Sequence, residues 1–367
     1  MDENRKLSFS IIATETKQIP QLIEKGGRNG YVYYGENNLY CDYLYDLYAH
    51  SSLFQAISKT IINFTMGSEI VNNTNMKYVN RKGDTFDELI YKLIRDYTIY
   101  GGFALQIIRN HNHDVAEMNY VDFRWCRVNE DEDKVYVNKK WGQARTQSKV
   151  YDRFMIGTKQ PISIFYYKGK DTSGVYPLPM YLGAVTALET HSQISQFHLN
   201  NILNNFSNNT IINFNNGDSI PDDVKEEIEE GVKDKFTGTE NAGKFMLSFN
   251  PDTEHATTFE TIPEDGNDKK YQQLYETTIQ DIYTAFRINK LLVGVDNENT
   301  GFNKSAYLEA FSLYNTIVIE PLQKEFVSCM DKIFGENAVE IKPFKVDWTK
   351  EDTGEDGLID EDTENVK

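Results

Sequence analysis

The stretch that comes nearest to working chemistry is Gly238-Thr239-Glu240-Asn241-Ala242-Gly243-Lys244-Phe245, which spells GxxxxGK, the opening of a phosphate-binding loop. Such a loop needs a Ser or Thr directly after the lysine to hold magnesium, a strand before it and a helix after it. Phe245 stands where the hydroxyl is required, and the surrounding pattern reads helix, loop, strand. A glycine-containing turn is therefore expected, not a nucleotide site. His111-Asn112-His113-Asp114 offers metal-ligating types, yet it falls between two predicted strands, where a polar hairpin turn is expected, and no further ligand lies near it in sequence. His191 and His198 are seven apart on one predicted helix face, and a pair of hydrogen-bonded interfacial histidines is expected there ahead of a ligand pair. There is no GxSxG, and Cys41, Cys126 and Cys329 form no CxxC pair, so neither a nucleophile, a zinc site nor a disulfide framework is indicated. No catalytic residue, metal or cofactor is expected, and the chain reads as a non-enzyme.

The elements that would position any site begin after an irregular, glycine-punctuated arm over residues 1–40. A helix is predicted over about 50–66, with Phe54, Ile57, Ile61 and Phe64 at helical spacing and Gly67 as its stop. A second, about 85–100, opens with the capping-box pattern Thr85-Phe86-Asp87-Glu88 and ends at Gly101-Gly102. Strands at 103–109, 117–129, 134–140 and 162–167 follow as a meander, and Pro177 and Pro179 close an α+β unit. Arg124, Arg127, Lys134, Lys139, Lys140 and Arg145 are interspersed with acids there, which reads as a solvated sheet face and not a nucleic-acid stripe.

From Met180 to Phe206 the only formal charge is Glu189. A helix over 179–206 would reach roughly 40 Å, and its asparagine-rich end needs packing to hold it. Two readings stand: a long helix half-buried in an ordinary α+β protein, or one packed side by side with copies of itself. Residues 211–250 form a small unit of strand Thr210–Phe214, the turn Asn215-Asn216-Gly217-Asp218, an acidic helix from Pro221 to Gly238, and a strand Lys244–Phe249. An amphipathic helix at about 268–288 carries Tyr271, Leu274, Tyr275, Thr278, Ile279, Ile282 and Phe286 in register. A turn-rich loop over 294–303 precedes a last long helix, 304–334, which Pro321 must kink or divide.

The formal charge is −18, of which residues 347–367 contribute −7 through nine acids and two lysines. A surface this acidic should not grip a phosphate backbone, although it can surround DNA without adhering to it. The acidic end is expected to be disordered. No stretch approaches eighteen apolar residues, so no membrane partner is expected. The first residues lack the pattern of a signal peptide, which places the expected site of synthesis and assembly in the cytoplasm.

Three stretches resemble the portal, or head-to-tail connector, proteins of tailed bacteriophages. Tyr176-Pro177-Leu178-Pro179-Met180 with a long helix ending in Asn204-Asn205-Phe206-Ser207-Asn208-Asn209 looks like that family's "SPL … F(R/K)NG" stem helix. Phe236 to Leu247 is similar to its "G…NAGK…vL" segment, which gives the false phosphate loop a home. Ile282 to Leu292, the glycine- and asparagine-rich loop, and then Tyr307 to Phe311 and Ile319-Glu320-Pro321-Leu322 look like "iA..f.VP..llG…sN.eq…f…tl.P". His50 to Ile70 is also similar to an N-terminal family helix. Ile288-Asn289 and Asn208-Asn209 depart from the family's valine-proline and Asn-Gly.

The resemblance implies an α+β portal-like fold and a ring, usually of twelve copies, at one capsid vertex. Residues 1–175 would be an N-terminal arm and wing, 176–206 and 264–291 the two stem helices, 207–263 a small α/β clip, 292–303 the tunnel loop, 304–334 a kinked tunnel and wing helix, and 335–367 a minimal crown. Asp296, Asn297, Glu298, Asn299, Thr300, Gly301, Phe302, Asn303 and Lys304 would face DNA. Asp218, Asp222, Asp223, Glu226, Glu227, Glu230, Asn241 and Lys244 would dock the motor or adaptor, and Glu189, Gln193, Gln196, Asn200 and Asn204 would line the stem channel. The implied partners are further copies of the chain, the packaging motor (terminase large subunit), adaptor and tail proteins, the major capsid protein, and double-stranded DNA held weakly. Another ring-forming head-completion or adaptor protein, and a nucleotide-using intracellular enzyme, are the competing readings.

Overall fold

The computed structural model describes residues 20–27, 29–74, 76–143, 146–172, 174–203, 210–214, 221, 224, 245–249, 267–295 and 303–345. Its elements in chain order are β1 (Glu24–Gly26), β2 (Val32–Tyr34), α1 (Tyr40–His50), α2 (Ser52–Met66), β3 (Glu69–Asn72), α3 (Phe86–Tyr100), β4 (Phe103–Arg109), β5 (Val115–Val121), β6 (Cys126–Val128), β7 (Lys134–Val137), β8 (Lys149–Arg153) and β9 (Ile162–Tyr167). Then come α4 (Val185–Leu203), β10 (Thr210–Phe214), β11 (Phe245–Phe249), α5 (Asn267–Ala285), α6 (Lys304–Tyr314), α7 (Glu320–Phe334) and β12 (Val339–Lys342). The fold is α+β.

Local chemistry starts and stops the helices. Thr85 Oγ1 accepts the Glu88 N–H at 3.2 Å while Glu88 Oε2 accepts the Thr85 N–H at 2.9 Å, so α3 opens on the expected capping box. It closes at Gly101, left-handed at φ 78, where a Cβ would stand 2.6 Å from the Leu178 carbonyl oxygen. At Gly102 a Cβ would stand 2.4 Å from the Tyr167 carbonyl oxygen. Only glycine lets α3, the end of β9 and the chain leading to α4 meet this closely. α2 is capped by Ser51, whose side chain accepts the Phe54 N–H at 3.2 Å.

The sheet order is β5-β4-β9-β8-β7-β6, which corrects the expected meander. β9 inserts between β4 and β8 and pairs with β8 in parallel. The single strand expected over 117–129 is broken by a 3₁₀ turn, Phe123–Trp125, because the Asp122 side chain accepts the Arg124 N–H and closes the chain into a turn. Residues 20–40 are not an irregular arm: β1 pairs with β2, and Tyr34 is buried and stacked on Tyr176 with ring centroids 4.1 Å apart. The α1 helix, absent from the expected elements, buries Tyr40, Cys41, Tyr43, Leu44 and Leu47.

Two buried clusters make the core. One joins α1, α2, Tyr181 with Val185 and Leu188 of α4, and Ile282 and Phe286 at the end of α5; the other joins α3, β4, Phe165 of β9 and Phe326, Met330 and Ile333 of α7. β12 pairs antiparallel with β3, and Phe344 packs on Phe64 and Phe311, so residues 339–344 are bound into this body.

Pro321 divides the last helix as expected, and the device is a π-helical turn, Asn315–Ile319, between α6 and α7. Proline lacks the N–H that would bond back one turn and its ring crowds the carbonyl four residues earlier. The wider turn relieves that crowding, with the Glu320 N–H reaching back to the Asn315 carbonyl. Asn315 Nδ2 also donates to Glu320 Oε1 at 3.1 Å across the turn.

Candidate functional site

The phosphate-loop resemblance ends at Phe245, which opens strand β11 where that chemistry needs a helix. β11 lies parallel to β10 in register Thr210↔Phe245 through Phe214↔Phe249, so residues 215–244 supply the crossover between them. Residues 238–244 themselves lie outside the described residues, as do Asp218, Asp222, Asp223, Glu226, Glu227, Glu230, Asn241 and Lys244.

His111 and His113 sit exposed in the β4–β5 turn, with His113 left-handed at φ 67 and its carbonyl accepting from Arg109 Nη1 at 2.7 Å. This is the hairpin that the sequence predicts. Cys41, Cys126 and Cys329 are unpaired and buried. Burial pushes the Cys41 and Cys329 thiols up to about 12, which leaves them protonated and unreactive. Among the described residues no group of three or more His, Cys, Asp or Glu side chains is placed to hold a metal ion, and no helix is long and apolar enough to cross a membrane.

The feature that stands out is a two-helix arm. α4 packs against α5, and its buried positions Val185, Leu188, His191 and Ile194 recur at three-residue spacing, the stripe of a helix seated on one side. Beyond Ile194 the stripe ends: Ser195, Gln196, His198 and Leu199 are all exposed. α5 mirrors this, with Thr278, Ile282, Tyr283 and Phe286 buried and residues 272–277 exposed throughout. Leu274 and Tyr275, in register with the α5 core stripe, therefore continue it out of the body into solvent, together with Leu199. One contact clamps the pair where the arm leaves: the His191 ring stacks on Tyr275, centroids 5.7 Å apart. His191 Nδ1 is buried with no hydrogen-bond partner, and burial lowers the ring's pKa below 6.5. His191 is thus packed within the chain, whereas His198, about 10 Å further along the helix, is exposed.

Of the residues expected along the stem, Glu189 is half-buried on the body side, near Tyr43 of α1, and accepts from Gln193 Nε2 at 3.1 Å. Gln193 and Gln196 are exposed on the arm. Asn200 belongs to α4, and Asn204 lies outside the described residues. The arm begins later than expected: Leu182–Ala184 is a 3₁₀ turn and α4 proper starts at Val185.

The loop expected to face DNA has its body, Asp296 to Phe302, outside the described residues, but both of its feet are described. Before it, Asn289 Oδ1 accepts the Leu291 N–H at 3.0 Å and caps the 3₁₀ turn Lys290–Val293, which ends at Gly294 with φ 84. After it, Asn303 Oδ1 accepts the Ala306 N–H at 3.1 Å and starts α6, with Lys304 exposed. Leu292 and Tyr307, one from each foot, line a single cleft of about 460 Å³ with Thr60, Asn63 and Phe64 of α2. The two feet are thus brought to one side of α2.

A family model described as phage portal protein matches residues 63–352. No curated protein sequence matches the chain. In fold the chain is similar to a protein of the native gene transfer agent (GTA) virion, at 18% identity over 82% of this chain and 83% of that chain, with a TM-score of 0.53. It is similar to a chain in the neck of an empty GTA particle computed with C6 symmetry, at 17% identity over 84% and 85% of the two chains, TM-score 0.54. A third similar chain comes from the neck of a native GTA particle computed with C12 symmetry, at 16% identity, 82% and 83% coverage and TM-score 0.53. With the family match spanning most of its length, the chain belongs to the phage portal protein family, a family of structural proteins rather than enzymes.

Proposed function

We propose that the chain is one subunit of a closed ring at one vertex of a virion shell, forming the channel through which double-stranded DNA is packaged and ejected. The observation that carries this reading is the α4–α5 arm. A monomer has no reason to extend two helices whose apolar stripe continues past the last residue of its own core. Copies arranged round an axis cover that stripe, and each arm then meets a neighbour on two sides, the heterologous contact that closes a ring. The GTA neck computed with C12 symmetry supports a ring of about twelve copies.

On this reading residues up to 175 are the wing, α4 and α5 the stem, 207–263 the clip, 292–303 the tunnel loop, 304–344 the kinked tunnel and wing helix with β12 folded back onto β3, and the residues beyond 344 the short crown. The clip is the platform for the packaging motor and later the adaptor and tail, and the shell's major protein surrounds the ring assembled in the host cytoplasm. A net charge of −18 keeps the passing duplex from adhering, so contact with DNA is weak and non-specific. The loop from Asp296 to Lys304 narrows the channel, and its two feet on α2 let it bear force without unseating the wing. Removing residues 296–302 tests this: rings should still assemble in electron micrographs while packaged or retained DNA is lost. Normal packaging by the deletion would remove the loop from the mechanism.

A further inference from the structure

A cleft of about 430 Å³ opens where the end of α5, the head of α7 and the chain leading into α4 converge. Tyr97 of α3, Leu178, Ala285 and Pro321 contribute to its walls, and Glu325 of α7 is set into it. The other charged residues of the lining, Lys170, Asp171 and Arg287, are exposed. The Glu325 side chain is only 9% exposed, and its two oxygens are used unequally. Oε1 accepts from Tyr167 Oη and from Tyr97 Oη, the latter at 3.4 Å. Oε2 accepts no hydrogen bond among the described residues. What faces it is the Lys170 ammonium at 3.8 Å, outside hydrogen-bond range, on a side chain 77% exposed. Such an exposed pair contributes about 1 kcal/mol at most, so it yields to a better-placed donor. A carboxylate oxygen set this deep with its lone pairs unmet is an acceptor waiting for a charged donor.

The rest of the lining says what kind of donor fits. The apolar walls take a carbon skeleton, and the Tyr97 ring beside Glu325 offers a face on which a cation is stabilised. Arg287 limits the charge. It closes α5 in the left-handed region at φ 53, with its N–H on the Thr284 carbonyl at 3.0 Å and the Ile288 N–H on the Tyr283 carbonyl at 3.1 Å. No acidic side chain among the described residues pairs with its guanidinium, so a second positive charge on an occupant meets an uncompensated cation. We propose that the cleft is a binding site for a small organic monoammonium ion, a protonated amine on an apolar skeleton, with Glu325 Oε2 accepting from the ammonium. The occupant touches Ala285 and Pro321 together, and so ties the end of the α4–α5 arm to the head of α7. Every lining residue comes from one chain, so the site does not rest on the ring reading.

The test titrates the purified full-length chain with phenethylammonium by isothermal calorimetry. Binding should saturate at one ion per subunit. Glu325→Gln keeps an acceptor oxygen for the Tyr97 and Tyr167 hydroxyls but removes the charge, and should weaken binding at least about tenfold. Lys170→Met removes the internal competitor at an exposed position, where the fold is not at stake, and should tighten binding by a factor of about two to five. Three further probes set the chemistry: phenethyl alcohol is the neutral counterpart, phenylacetate the anionic one, and spermidine a polycation. Each should bind at least about tenfold more weakly than phenethylammonium. Equal affinity for phenethyl alcohol would reduce the site to apolar filling and overturn the proposal. Equal affinity for spermidine would reduce it to a general attraction of cations to an acidic chain, with the same consequence. Parental affinity in Glu325→Gln, or unchanged or weaker binding in Lys170→Met, would each remove Glu325 Oε2 as the acceptor.

Discussion

The ring of His191 on α4 lies against the ring of Tyr275 on α5, tilted by 23°, at the point where the two helices leave the body. It is the last aromatic contact described between the paired helices before the exposed stretch. Both residues come from patterns legible in the chain, an uncharged helix and an amphipathic one, but their meeting depends on a tertiary pairing that neither pattern states.

That contact should respond to acid. Burial lowers the His191 pKa below its unfolded value of 6.5, so the unfolded chain takes up the proton more readily. The stabilisation is complete above pH 6.5 and is lost as the pH falls from there through the folded pKa. Amides of Leu188 to Ser195 should exchange faster at pH 5.5 than at pH 7.5 after correction for intrinsic rates. His191→Phe, which keeps an aromatic ring without the titration, should abolish the difference.

Asp96 acts with the opposite sign. It is 1% exposed, accepts from Tyr120 Oη at 2.9 Å and from the Phe123 N–H at 3.2 Å, and sits 3.3 Å from Arg95 Nη2. Burial outweighs these contacts and pushes its carboxyl up to about 7 from 3.8. The folded chain therefore holds the proton more tightly, and this group's contribution falls as the pH rises from about 4 to about 7. Asp96→Asn should flatten that fall, so that melting temperatures of variant and parent diverge toward pH 8 in favour of the variant. A parallel pH profile would contradict the assignment.

Arg127 is fully buried and holds the β2–α1 loop to the sheet. Its Nε donates to Asn38 Oδ1 at 2.5 Å and its Nη2 to the Asn38 carbonyl at 2.6 Å, while Nη1 donates to the Cys126 and Arg124 carbonyls at 2.7 and 3.0 Å. The guanidinium also lies over the rings of Trp141 and Tyr34. A lysine cannot reproduce a planar fork at this site. Arg127→Lys should cost at least about 3 kcal/mol in denaturant unfolding, whereas Lys139→Met, on the exposed face over Trp125, should stay within about 0.5 kcal/mol.

Leu199→Asp with Leu274→Asp changes two side chains that the isolated chain leaves exposed. The melting temperature of the dissociated subunit should move by no more than about 2 °C, while assembly, read by light scattering, should fail. Intact assemblies would place the arms away from any contact between copies.

How far the chain could be read from its sequence follows the range of the interactions. The α3 capping box, the Gly101 stop, the β4–β5 hairpin and the division at Pro321 are set by neighbours within a few residues, and all four stand in the structure. The sheet order was not legible, because β9 inserts between β4 and β8 through pairings that side-chain alternation does not encode. The α1 helix was hidden behind a glycine-rich approach and has no side-chain cap to announce it. Arg127 read as one charge on a solvated face, since nothing local distinguishes a buried arginine from an exposed one. For the candidate site, periodicity located both arm helices and put Leu274 and Tyr275 on the apolar face of the second; the stripe is continuous, and only the fold reveals where the body beneath it ends.

The central claim is that the exposed arm exists because copies of the chain cover it. The most direct measurement is the native mass of the purified full-length chain at micromolar concentration. A closed assembly of about twelve subunits of 42.4 kDa, with a central hole in electron micrographs, is the predicted result. A species that stays at the mass of one subunit across that range would contradict it.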